Sequence, residues 1–209
     1  MKAQTKEMQA QMTPDSSLQE LKNGNLRFTG KNALNRDLLQ QVEETSTGQF
    51  PYATVLSCID SRVSSELIFD QGIGDIFSVR IAGNFVNEDI LGSMEFACKL
   101  AGTKLVVVLG HTACGAVKGA CDHARLGNLT TLINKIEPAV DAVKEPQDES
   151  LRNSGNIDFV NEVAAKNVEM TIDNIRANSQ VLAELEQQGE IKIIGGMYDI
   201  KTGAVTFYE

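Results

Sequence analysis

Lys104-Leu-Val-Val-Val-Leu-Gly-His-Thr-Ala-Cys-Gly115 decides how this chain folds. Residues 105–109 are all Val or Leu, with no alternation of apolar and polar positions. Such a run predicts a strand buried on both faces, as in a parallel sheet covered by helices. Gly110 ends the run, and the turn after it carries His111 and Cys114, two side chains of metal-ligating type. Open parallel sheets collect ligands at the carboxyl ends of their strands. The spacing of three lets His111 and Cys114 converge on one point if a helix starts near Thr112.

Working outward, residues 53–58 form a second apolar strand that also ends in a thiol, Cys58, with Asp60, Ser61 and Arg62 close behind. Residues 65–70 predict a short helix stopped by Gly72 and Gly74, and 75–79 a third strand leading through Arg80 to the turn Ala82-Gly83-Asn84. An amphipathic helix over 90–100 closes at Gly102. Beyond the central run, the pattern predicts helices over 112–124 and 129–143, a polar surface connection over 144–156, and one long helix over 159–188. A strand over 192–198, a turn and an antiparallel edge strand over 204–208 complete the chain. At the other end, 1–12 are polar without a strong period, a helix runs from Ser16 or Ser17 to Phe28 before Gly30, and a weaker one covers 36–44. The reading is a single α/β domain: an N-terminal helical arm (1–45), then a core (50–209) with a mainly parallel central sheet flanked by helices and an antiparallel C-terminal edge.

Composition narrows the function. The formal net charge of -9 leaves nothing to neutralise phosphates, which excludes a nucleic-acid partner. No apolar run is long enough for a membrane span. Residues 1–12 lack the apolar segment of a signal peptide, so a cytoplasmic location is expected, or a periplasmic one if a leader was removed from a precursor. Four cysteines in 209 residues make no disulfide scaffold. Cys98 sits in an apolar helical pattern and reads as a small buried hydrophobe. Gly72-Ile-Gly74 lacks the third glycine of a dinucleotide-binding turn.

If the strands ending at Cys58 and at Gly110-His111 are neighbours, two thiols and one imidazole share a site. Sulfur and nitrogen donors in tetrahedral array select zinc. Three protein ligands with the fourth position free make a catalytic centre, and four make a structural one. Cys121, Cys98, His123 and Asp60 are the candidates for a fourth. Cys58 and His111 stand 53 positions apart, a separation that needs a whole fold to close. Asp60 can bind the metal or stand beside it, and Arg62 can hold it in a bidentate pair, ionised and off the metal.

Cys58-Ile-Asp-Ser-Arg62 together with His111-Thr-Ala-Cys114-Gly115 resembles the paired motif of the β-class carbonic anhydrases. Gly24-Asn-Leu-Arg-Phe28, Val79-Arg-Ile-Ala-Gly-Asn84 and Ser93-Met-Glu-Phe96 extend the resemblance from about residue 17 to the C-terminus. It implies that Cys58, His111 and Cys114 bind one Zn2+ and that Asp60 and Arg62 form a catalytic dyad. Asp60 would accept a hydrogen bond from zinc-bound water, or become the fourth ligand in an inactive form. Gln49 matches a glutamine that binds bicarbonate or CO2. Phe77, Ala82 and Phe96 match pocket-lining positions, and the motif glycines Gly83 and Gly115 border the same substrate pocket. The implied reaction is reversible hydration of CO2 to bicarbonate by zinc-bound hydroxide. The implied assembly is a homodimer or homotetramer whose neighbour supplies part of Gln49, Phe77 and Phe96.

Three positions depart from the family. Phe96 stands where some relatives carry Tyr, and Ile81 stands inside a motif that usually has Asn there. Val55 replaces a tryptophan that some members use in a bicarbonate switch. The chain has no Trp at all, which predicts that this switch is absent or much altered and that Asp60 stays off the metal near neutral pH. His123 reads as a surface residue rather than a proton shuttle. The rival readings are a carbonyl sulfide or carbon disulfide hydrolase on the same scaffold, and a non-enzymatic zinc domain closed by Cys121 or His123.

Overall fold

The apolar run forms β3 (Leu105–His111), the middle strand of a five-stranded sheet, and all seven of its residues are buried. The computed structural model describes residues 2–208. With β1 (Ala53–Ser57), β2 (Ile76–Arg80), β4 (Lys192–Tyr198) and β5 (Val205–Tyr208), the order is β2-β1-β3-β4-β5. The first four strands are parallel and β5 is antiparallel to β4. The strand outlasts its Val and Leu run because Gly110 and His111 still pair with Met197 and Tyr198.

Both faces are covered. Leu105, Val107 and Leu109 join Ala53 and Val55 in a cluster with Leu18, Leu21 and Phe69 on one side. Val106, Val108 and Leu56 meet Val168, Ile172 and Ile175 on the other. Alternate residues thus face opposite cores, which is why no polar position interrupts the run.

Among the described residues ten α-helices surround the sheet: α1 (Lys6–Gln11), α2 (Pro14–Thr29), α3 (Leu38–Thr45), α4 (Ser65–Ile68), α5 (Glu88–Glu95), α6 (Gly115–Cys121), α7 (Gly127–Ile133), α8 (Glu137–Ala142), α9 (Ile157–Asn178) and α10 (Gln180–Gln187). Several differ from the sequence reading. Within 1–12, Thr5 caps a short true helix, and α2 begins at Pro14 with Thr13 and Ser16 forming a capping box. The helix expected over 129–143 is two helices, because Pro138 lacks an N–H and fits only the first turn of α8. The long helix over 159–188 breaks at Ser179, whose backbone is extended and whose Oγ caps the Leu182 amide at 3.2 Å. The helix over 90–100 ends as α5, and a π-helical turn over Phe96–Leu100 follows.

The N-terminal helices are tied to this chain's own sheet. Gln9 is buried and donates through Nε2 to the Pro51 and Ala101 carbonyls, both at 2.8 Å. The stretch 24–28 docks α2: a Cβ on Gly24 would stand 1.8 Å from the Phe69 carbonyl oxygen, so only glycine allows the approach. Next to it, Asn25 donates to the Ile68 and Gly203 carbonyls and accepts from the Val205 amide, and Arg27 pairs with Asp70 at 2.5 Å. Among the described residues no helix is long and apolar enough to cross a membrane.

Candidate metal centre

β1 and β3 are neighbours in parallel register, with Ser57 opposite Leu109. β1 ends there and β3 runs on two residues to His111, both on the carboxyl side of the sheet, so Cys58 follows β1 beside Gly110-His111. The 53-position gap is closed by strand pairing alone. Cys114 arrives by a different route from the one its spacing suggested. The helix does not start near Thr112: Ala113 takes a left-handed φ of 53° and Cys114 is extended (φ -60°, ψ 125°), standing as N-cap to α6. A left-handed alanine costs about 1–2 kcal/mol, so the surrounding contacts must hold this turn.

Cys58, His111 and Cys114 are all buried, and one ligand atom from each lies within 4.8 Å of the other two. No other group of three His, Cys, Asp or Glu side chains converges in this way among the described residues. Cys121, Cys98 and His123 stay outside it. Cys121 packs among Val117, Ile133 and Ile136, with burial pushing its thiol up to about 11. Cys98 is buried near Met94 and Ile90, its thiol pushed up to about 12 by burial. His123 is two-thirds exposed and pairs with Glu137 at 3.0 Å.

Three observations test whether a cation fits. The His111 Nδ1 lies 3.0 Å from the Thr112 carbonyl, which can only accept, so Nδ1 carries the proton. That leaves Nε2 as a lone-pair donor, buried with no hydrogen-bond partner. The two sulfurs are 3.9 Å apart, and two Zn–S bonds of about 2.3 Å at the tetrahedral angle span about 3.8 Å. Finally, the surroundings favour one thiolate. The Cys58 thiol is held well below its ordinary value, first by the Cys114 thiol donating to it and then by the Gly83 amide (3.4 Å), against the cost of burial. Cys114 keeps the shared proton and is correspondingly raised, while the amides of Ala116 and Val117 at the start of α6 oppose the rise. The donor set and its spacing fit a tetrahedral divalent ion.

Asp60 stands beside this group rather than in it. Its Oδ1 accepts from the Arg62 amide (3.0 Å) and Nε (2.9 Å), and its Oδ2 from an Arg62 terminal nitrogen (2.7 Å). The Arg62 guanidinium holds the Asp60 carboxyl well below the usual carboxylate range. Oδ2 also lies 3.9 Å from His111 Nε2, so a charged oxygen faces the point where the ligand atoms converge.

The expected pocket residues divide between the two ends of the sheet. Ala82 and Gly83 lie beside Cys58. Gly83 has φ 80°, and a Cβ there would stand 2.3 Å from Ile136 Cδ1, so glycine is required. Gly115 begins α6 in open space. Gln49 is exposed and precedes β1, and Phe77 pairs with Thr54 near the amino end of that strand. Phe96, 51% exposed, sits edge-on to Phe77 at 6.2 Å. Gln49 precedes β1 and Cys58 follows it, so the whole of that five-residue strand, about 16 Å of extended chain, separates them in sequence. Ile81 is half-buried between two core clusters and donates its amide to Ser57, so the departure from the family motif serves packing. Val55 is fully buried in the core.

Three supporting residues escaped the sequence reading. Arg80, at the end of β2, donates to the Cys58 carbonyl (3.0 Å) and the Asp60 carbonyl (2.7 Å), clamping the turn between them. Asn161 accepts from the Ala113 amide at 2.8 Å, and Asn167 donates to the Gly83 carbonyl at 2.8 Å. Asn167 carried a signal, since it interrupts the apolar stripe Val163, Ala164, Val168 and is itself buried.

Fold and centre together define a class: an α/β protein with two thiols and an imidazole at the carboxyl ends of a parallel sheet. Comparison with known proteins agrees. The family model described as carbonic anhydrase matches residues 53–205. The chain is 32% identical over 198 residues to a carbonic anhydrase of Mycolicibacterium smegmatis, covering 92% of each chain. It is also 32% identical to carbonic anhydrase 2 of Mycobacterium tuberculosis, over 91% of this chain and 90% of that one. The solved structure of the beta-carbonic anhydrase CcaA superposes with a TM-score of 0.72 at 27% identity, covering 92% of this chain and 95% of that one. The chain belongs to the β-carbonic anhydrase family.

Proposed function

We propose that this chain is a zinc enzyme that hydrates CO2 reversibly to bicarbonate and a proton, with Cys58 Sγ, Cys114 Sγ and His111 Nε2 holding the ion. The observation that carries this reading is the unpartnered, buried Nε2 facing two thiols. Zinc bound there supplies a water whose pKa is lowered towards about 7, a value known for carbonic anhydrase with three imidazole ligands.

The chain's own groups do the rest. Asp60, ionised by Arg62, offers Oδ2 as acceptor to the attacking water and orients it. Arg62 uses both edges of its fork on the carboxylate, which keeps Asp60 from closing the fourth position. The Gly83 amide supports charge on Cys58. Phe85, Val117 and Ile136 form the dry wall behind the ligands, where electrostatic interactions strengthen. Among the described residues no further Cys or His reaches the group, which disfavours a purely structural zinc site.

The substrate pocket is completed by a second copy of the chain. Gln49 and Phe77, with Phe96 packed on Phe77, lie towards the amino ends of β1 and β2, away from their own ligands, and so are placed to serve a neighbour's centre. The exposed Phe96 and the open edge of β2 beside it offer an apolar face for such packing. A homodimer is the smallest assembly that does this.

Stopped-flow CO2 hydration between about pH 6.5 and about pH 9, with zinc assayed on the same sample, tests the reading. Hydration rising with pH at one zinc per chain is expected. A full complement of zinc with no hydration across that range would overturn it.

A further inference from the structure

One helix reaches both the turn that carries Cys114 and the separate turn whose amide faces Cys58, and each contains a residue in the left-handed region. Ala113, between His111 and Cys114, has φ 53°, and Gly83, whose amide faces Cys58 Sγ, has φ 80°. The Ala113 amide donates to Asn161 Oδ1, and the Gly83 carbonyl accepts from Asn167 Nδ2. Both asparagines sit on α9, the longest helix, six residues apart, which is about 9 Å along its axis. Its neighbouring residues Val160, Val163 and Ala164 pack in the same core cluster as Cys58 and Cys114. The turn that carries Cys114 and the glycine whose amide faces Cys58 are both bonded to α9, and the two sulfurs stand 3.9 Å apart.

We propose that Asn161 and Asn167 are a pair of positioning residues: from one rigid helix they fix the separation of the Cys58 and Cys114 sulfurs, and so the affinity for the metal. The two act with opposite polarity, Asn161 as acceptor and Asn167 as donor. That asymmetry separates a positioning role from simple packing. This inference rests on the assignment of zinc to Cys58, His111 and Cys114.

The experiment is zinc affinity by chelator competition on the full chain, with Co2+ absorption in the thiolate charge-transfer region as a second readout. Asn161→Asp keeps the acceptor and is expected to bind zinc within about threefold of the parent, with the Co2+ spectrum unchanged. Asn167→Asp loses the donor and is expected to weaken zinc about tenfold or more and to shift the Co2+ bands, as removal of an outer partner does elsewhere. Both changes have nearly the parent shape, but Asn167 is the more deeply buried, so Asn167→Leu, which removes the donor without adding charge, is expected to weaken zinc as much as Asn167→Asp does. Asn161→Ala is expected to weaken binding about tenfold, and adding Ala113→Gly to recover part of that loss, because glycine holds a left-handed φ unaided. Equal affinities for Asn161→Asp and Asn167→Asp, or no recovery on adding Ala113→Gly, would overturn the proposal. The underlying assignment fails separately: it is wrong if the parent protein and His111→Ala take up zinc alike.

Discussion

The two turns that meet at the metal centre are held by opposite means. The Cys58–Arg62 turn relies on charge: Arg62 forks onto Asp60, Arg80 clamps two carbonyls, and the Arg62 side chain is 54% exposed. The His111–Cys114 turn relies mainly on half-buried neutral bonds: the Thr112 amide donates to the Tyr198 carbonyl, Thr112 Oγ1 accepts from the Ile200 amide and the Ala113 amide donates to Asn161, with one longer bond from Thr112 Oγ1 to Asp199. Exposed ion pairs are worth little and fade in salt, whereas neutral bonds to half-buried backbone are little affected by it. The difference assigns roles. The His111–Cys114 turn presents two ligands, and the charged turn presents the third together with a carboxylate whose position an arginine controls.

The comparison breaks most completely if a fixed ligand is removed. His111→Ala is expected to lower zinc to below about one-tenth of an ion per chain and to abolish hydration, read by metal analysis and stopped-flow on one sample. On the charged turn, Asp60→Asn is expected to keep its zinc but lower kcat about 100-fold, the size of a lost general-base contribution. Equal zinc loss in both variants would erase the distinction between the turns. Arg80→Ala sharpens it further, with zinc unchanged and kcat lower by about tenfold. A change remote from both turns is a control. Asp70 accepts from Arg27 and Arg36, and although burial pulls its carboxyl up, those arginines hold it below the ordinary value. A depressed carboxyl stabilises the fold above its unfolded pKa of about 3.9, and that contribution is lost as pH falls through the lower folded value. Asp70→Asn is therefore expected to destabilise at neutral pH, by about 3–5 kcal/mol in urea unfolding, and to flatten the acid limb of stability. The smallest effect belongs to Cys121→Ser, which is expected to leave zinc and hydration unchanged because Cys121 lies outside the ligand group.

How much of this was legible in the sequence follows from how local each feature is. The unbroken apolar runs at 53–57 and 105–109 announce buried parallel strands, because burial on both faces forbids alternation. Cys58 and His111 stand at the ends of such runs, so residue order alone carries these two to one side of the sheet, with Cys114 three residues further on. The turn at Ala113 was not legible: a spacing of three suits a helix, and nothing in Thr-Ala-Cys announces a left-handed alanine held from α9. Nor was the break at Ser179, where one serine ends one helix and caps the next inside an otherwise continuous apolar period. Arg80 was passed over because an arginine at a strand end looks the same whether it faces solvent or two carbonyls.

The register of β1 against β3 has a consequence for how the protein matures. In the unfolded chain His111 and Cys114 are close together and Cys58 is a stranger to them, separated by 53 positions and two intervening helices. A two-donor site is a weak trap for a metal ion. The third donor arrives only when the two strands lie side by side, and closing so long a loop has to be compensated by the sheet itself. Acquisition of the ion therefore reports on folding already done, and a chain whose central strands have not paired has no site to fill.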